Sequence, residues 1–278
     1  MTAFLTALGD HGGDRHRAED PTAKAQHVIY DAWEQRTKQS RVALAHEALR
    51  LSPLCADAYV ILAEETARSA EERRDLFAQG VEAGELALGP DGFEEHAGSF
   101  WGVLDTRPYM RARAGLANAL LTLGDTDGAI AHWRAMLELN PGDNQGVRYL
   151  LAAELLRQGD MPALKKLIAA YKGEWSVFWL YTRALIAYRD GKGGAKATEA
   201  LVRDAAEANP HVPGILSGAA PAVASRDGYV TMGGADEAAW YVEECGPAWR
   251  TTPRSVACLN EQAAGHERNT TGWGGDIR

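Results

Sequence analysis

The sequence predicts an all-α protein, an α-solenoid of about five helical hairpins. Three observations carry this reading. Apolar residues recur at three- and four-residue spacing through almost everything between the polar ends, with few stretches of strand alternation. Proline is scarce, 11 in 278 residues, and falls between helical runs as punctuation. Two of those prolines keep repeat spacing: Pro141 to Pro210 is 69 residues, two periods of about 34 plus one.

The elements follow in order. Residues 1–20 are polar and rich in Gly, Asp and His, and are expected to form a flexible tail. A helix around Ala25 to Gln35 pairs with the run ALAHEALRLSP, which ends at Pro53. The next helix starts at Ala56 and carries Tyr59 and Leu62. Pro53 to Pro141 is 88 residues, longer than two periods, so an irregular insertion is placed near 90–109. From Met110 the register is clearest. Leu116, Ala117, Gly124, Ala129, Trp133 and Pro141 fall at positions 7, 8, 15, 20, 24 and 32. This is close to the tetratricopeptide pattern, in which small residues let two antiparallel helices approach and an aromatic fills the gap, though Met136 replaces the usual small residue at position 27. Trp133 is therefore expected in the core. The unit from Asn144 keeps Leu150, Leu151 and Ala163 on register, with Gly159 one residue late. A third unit runs from Phe178 to Asn209-Pro210, its extra residue placed in the glycine-rich turn at 191–194. The repeat domain thus spans 21–263, and the glycine-rich residues 264–278 form a second flexible tail.

Composition narrows the function. Acidic residues outnumber basic ones by 38 to 29, a net charge of −9, which argues against a nucleic-acid partner. Apolar residues are 46% and charged residues 24%, as in a soluble globule. No apolar stretch reaches membrane-spanning length, and Ala3 to Leu8 lacks the basic flank of a secretory leader, so no membrane partner is expected. Cys55, Cys245 and Cys258 are odd in number and far apart, which suits reduced thiols in a cytoplasmic protein rather than disulfides or a thiolate metal site.

Several strings are more specific than the repeat. They are Phe100-Trp101-Gly102, the run from Thr106 to Arg113 (TRPYMRAR), the run from Asn140 to Gly146 (NPGDNQG), Arg148-Tyr149-Leu150-Leu151, and Asn209-Pro210-His211-Val212-Pro213. With the upstream SPLCADAYVILAEE they resemble bacterial tetratricopeptide proteins related to the suppressor-of-tumorigenicity-seven family, from about Ala25 to Trp249. The resemblance implies a helical-repeat fold and brings no established activity with it.

Candidate chemistry is thin. Glu64 and Glu65 are adjacent on a helix and point about 100° apart, so they form no carboxylate dyad. Glu94-Glu95-His96 lacks the spacing of a metal-binding helix, and Gly191-Lys192-Gly193-Gly194 lacks the remainder of a phosphate loop. Asp125-Thr126-Asp127-Gly128 lacks the later ligands of a calcium loop and is read as a helix N-cap. No cofactor, metal or catalytic residue is expected.

Charge and register point to binding. Residues 56–106 carry 12 acidic and 3 basic side chains, and residues 107–172 carry 6 and 9. In such repeats the first helix of each hairpin lines a concave groove. Its facing positions here are Arg111, Asn118, Gln145 and Arg148, with Trp179 as an exposed apolar anchor. Guanidinium and amide donors suit an acidic or carboxylate-bearing peptide. The reading is a non-enzymatic protein–protein interaction module. The alternative is an enzyme or small-ligand-binding protein with a pocket around residues 93–113 and His211 as a base.

Overall fold

The computed structural model describes residues 20–192, 196–223 and 230–271. The expected tail at 1–20 therefore lies outside the described residues except for Asp20. Among the described residues there are thirteen α-helices and no strand, so the chain is all-α. It divides into two compact units, one ending at Val147 and one beginning at Arg148.

The first unit holds α1 (Pro21–Trp33), α2 (Lys38–Leu51), α3 (Ala56–Glu65), α4 (Ala70–His96), α5 (Arg107–Thr122) and α6 (Thr126–Leu139). Four of these helices start on a side-chain cap, which satisfies amide groups that the helix itself leaves unpaired. The side chains of Asp20, Thr37, Ser69 and Asp125 accept from the amides of Thr22, Ser40, Glu72 and Gly128. Asp125 is thus the N-cap expected from the sequence. Gly124, at φ +83°, makes the tight turn before it.

Packing in this unit follows chain order. α1 lies on α2, α3 on α4 and α5 on α6, while α3 also meets α2 and α5. Ala25, Ile29 and Ala32 of α1 join Ala45, Ala48, Ala58, Ile61 and Leu62 in one core. The alanines let the helix backbones come close, as the small-residue positions require. Trp133 is 1% exposed, inside its hairpin as expected.

The extra residues near 90–109 have a definite form. α4 kinks at Gly89 (φ +61°), because Pro90 disfavours helical backbone in the residue before it. The chain then runs through a short 3₁₀ turn, Phe100–Gly102, to α5. Thr106 Oγ1 donates to the carbonyls of Phe100 and Val103, and Arg107 Nε donates to the Trp101 carbonyl at 2.9 Å. Phe93, Phe100 and Tyr109 pack ring against ring behind this turn.

His132 of α6 sits half-buried near Arg113, and its Nδ1 is enclosed without a hydrogen-bond partner. Burial first, and the Arg113 charge second, hold its pKa below the ordinary value despite Asp125. The folded state therefore keeps this ring neutral where the unfolded chain has already protonated it. Its stabilising contribution is complete above about pH 6.5 and is lost as pH falls through the lowered folded value. His132→Gln should flatten the loss of stability between about pH 7 and pH 5 in urea titrations. An unchanged pH slope would refute this origin.

The second unit holds α7 (Val147–Gln158, beginning at the boundary), α8 (Met161–Ala170), α9 (Val177–Ala187), α10 (Lys196–Ala208), α11 (His211–Ser217), α12 (Ala235–Thr251) and α13 (Ser255–Thr271). Every residue of α9 from Val177 to Thr182 is buried, as are Ala184, Leu185 and Ile186. Tyr181 Oη donates to the Asn209 carbonyl at 2.8 Å, and Trp249 Nε1 donates to Tyr241 Oη at 2.8 Å. Asn209 is fully buried and donates to the Gly234 carbonyl and to Glu237 Oε2. α13 continues to Thr271, so helical backbone extends beyond residue 263, where the sequence reading ended the repeat domain. Residues 272–278 and the turn at 193–195 lie outside the described residues.

Candidate functional site

An open groove of about 470 Å³ runs between α3, α4 and α5 in the first unit. Val60 and Phe77 form its apolar floor, and both are buried. Gly115 belongs to α5 because a Cβ there would collide with the Phe77 ring. Arg111, Asn118 and Gln145 all line this groove, so three of the five nominated residues meet in one recess. Asn118 is exposed and Gln145 half-buried. Arg73 and Glu64, which the sequence reading did not place there, add a cation and an anion. The Glu64 carboxyl is held above its ordinary value by partial burial, then by Glu65 and Asp57, against the pull of Arg73.

Arg111 is not a free donor. Its Nε donates to Asp57 Oδ1 at 2.8 Å and its Nη2 to Asp57 Oδ2 at 2.5 Å. Asp57 is 0% exposed and also accepts from Gln26 Nε2 at 2.8 Å. The guanidinium lies over Trp33, 4.8 Å from the ring centroid. One carboxylate thus ties α1, α3 and α5 together, and Arg111 serves as groove wall. Trp33, 41% exposed, is the aromatic beside this wall.

The other two nominations belong to the second unit. Arg148 donates through Nε and Nη2 to Glu174 Oε2 at 2.9 and 2.5 Å, and through Nη2 to Tyr149 Oη at 2.6 Å. Its guanidinium lies over the rings of Tyr149 and Tyr171. Burial alone would raise the Glu174 carboxyl, but the hydrogen bonds and charge of Arg148 with the Ser176 amide bring it below the ordinary value. Trp179 must be corrected. It is 0% exposed, packed edge-on against Tyr149 and Tyr171, so it is core rather than an exposed anchor. An amphipathic first helix would have left it facing solvent, but α9 is apolar nearly all round and is buried nearly all round.

Residues 93–113 do contribute to a cavity in the first unit. It measures about 500 Å³, and Cys55, His96, Asp105, Pro108 and Tyr109 are among its walls. Burial pushes the Cys55 thiol up to about 12, too high for a thiolate nucleophile near neutral pH. His211, the base of the alternative reading, lies in the second unit at the start of α11, where its amide donates to Asn209 Oδ1. Among the described residues no three His, Cys, Asp or Glu side chains are grouped to hold a metal. Nor is any helix there long and apolar enough to cross a membrane.

Sequence reasoning missed Asp57, Trp33, Arg73 and Phe77. A signal existed for the first. Counting three residues past each proline, as Pro141 leads to Asn144, makes Ala56 a first position and Asp57 a second, the repeat position of Arg111. On the expected register the two positions are equivalent, and the residues that hold them, which meet in the structure, carry opposite charge.

Comparison with known proteins supports the likeness to the suppressor-of-tumorigenicity-seven family. A family model described as ST7 protein matches residues 7–98. The suppressor of tumorigenicity 7 protein of Macaca fascicularis is 28% identical over 241 residues, 71% of this chain and 45% of its own length. The suppressor of tumorigenicity 7 protein-like of Homo sapiens is 30% identical over 211 residues, 68% of this chain and 36% of its own. The Mus musculus protein is 28% identical over 241 residues, 71% of this chain and 42% of its own. The chain therefore spans less than half the length of these relatives.

Proposed function

We propose that this chain is a non-enzymatic interaction module, a tetratricopeptide-like solenoid whose first-unit groove holds an extended segment of another protein. The observation that carries this is the meeting of Arg111, Asn118 and Gln145, donors at facing positions of the expected repeat, in one open recess. The order of packing in the first unit supports the repeat reading: helices pair along the chain, and α3 meets the first helix of the following pair. The groove offers side-chain amides at Asn118 and Gln145, a cation at Arg73, an acceptor at Glu64 and an apolar floor. Those groups suit an extended backbone with mixed side chains. With Arg111 engaged by Asp57, an acidic residue or terminal carboxylate of the ligand meets Arg73 instead. A cytoplasmic location is proposed on cysteine usage alone.

The test uses Asn118→Trp. This position is exposed on α5, and a bulky ring there obstructs the groove without touching the Arg111–Asp57 pair. Wild-type and variant chains, matched by circular dichroism, are used to capture proteins from cytosol, with cross-linking to map the contact. The expected result is a partner cross-linked to α3 or α5 and depleted about tenfold by the substitution, a loss near 1.4 kcal/mol. Identical capture by both chains would remove the groove from consideration.

A further inference from the structure

A trough of about 430 Å³ lies across α8, α9 and α10 in the second unit. Its floor is aliphatic, made by Ile168, Ile186 and Leu201. Its rim is cationic, with Lys165, Lys172 and Arg183 against a single carboxylate, Asp190. The sequence builds this arrangement simply. Residues 165, 168 and 172 are spaced by three and four, so on and just past α8 two lysines flank one isoleucine along one side. The wide π-type turn after α9, Tyr188–Lys192, carries Asp190 to Lys165, whose Nζ donates to both carboxylate oxygens at 2.9 Å.

That pair cancels itself. Lys172 and Arg183 have no ion pair among the described residues, which leaves two unneutralised cations beside an aliphatic floor in a chain of net charge −9. Water serves the cations well and the floor poorly. A ligand with carboxylates flanking aliphatic side chains serves both.

We infer that this trough is a second recognition site, taking a segment of another protein that carries acidic and aliphatic side chains on one face, as an acidic amphipathic helix does. One feature argues against a nucleic acid, and the test below tells a different protein from a second copy. Nucleic-acid affinity draws on a run of cations, and here two are unpaired. The site does not depend on the first-unit groove, so either can fail alone.

The probe is a short fluorescein-labelled helical peptide of glutamate, leucine and alanine, titrated into the full chain and read by anisotropy. The control is the same peptide with lysine for glutamate. The acidic peptide should bind at least about tenfold tighter than the basic one and weaken as ionic strength rises from about 0.05 to about 0.2 M. Lys172→Glu with Arg183→Glu should abolish that preference. Lys172→Glu alone, at an exposed position, should weaken acidic-peptide binding about threefold to fivefold and guards against misfolding of the double variant. Equal affinity for the two peptides, or no effect of the charge reversals, would overturn the inference. So would self-association of the wild-type chain that the reversals abolish, since the occupant would then be a second copy.

Discussion

Arg111→Ala should destabilise the first unit by about 3–5 kcal/mol, the cost of leaving a buried carboxylate without its cation. With Arg111 in place Asp57 has no solvent exposure, and Gln26 supplies only one other side-chain donor. Arg111→Lys should recover a minor part, because one ammonium does not meet both oxygens in the fork geometry the pair uses. The decisive comparison is the double variant Arg111→Ala/Asp57→Asn. Once the carboxylate is neutral, the penalty of an unpaired charge is gone and at least about 1 kcal/mol should return. Denaturant unfolding followed by circular dichroism reads all four chains. If the double variant is no more stable than Arg111→Ala, the pair is not what holds α1, α3 and α5 together. The result also bears on any binding assay. A partner lost on Arg111→Ala would report an unfolded unit as readily as a ruined groove, which is why Asn118→Trp is the better probe.

Helices, their caps and the packing of Trp133 were legible because each is written locally. A capping aspartate, a glycine at positive φ and a small-residue spacing act within a few residues. The strings that carry the family resemblance turn out to be structural devices. Thr106 and Arg107 close the 3₁₀ turn onto α5. Asp143, at φ +45°, accepts from the Val147 amide, the first of α7, at 2.8 Å. Asn209 bridges to Gly234 and Glu237. Partner choice was not legible, because it is tertiary. Arg111 and Asp57 are 54 residues apart, and Arg148 and Glu174 are 26 apart. Nothing in the local pattern tells a groove arginine from one already spoken for by a buried acid.

Trp179→Ala should cost about 3–5 kcal/mol, as for a large aromatic removed from a core. Trp179→Phe should cost less than half of that. Phenylalanine keeps a ring against Tyr149 and Tyr171, and the indole N–H it gives up has no acceptor where it is buried. A stable Trp179→Ala chain that had lost ligand binding would restore the anchor reading. The expected opposite has a cause that reaches beyond one residue. Asp57, Arg111 and Trp179 all fall at the second position of a first helix. That position was read as facing a ligand, yet in this chain it holds a buried acid, the arginine that pairs with it, and a buried indole. On the expected register, then, three second positions are taken up by packing, while a fourth, Gln145, lines the groove. Under the proposed function, ligand contact would fall to Gln145 and to Asn118 at the ninth position, an exposed side chain of α5 that lines the groove.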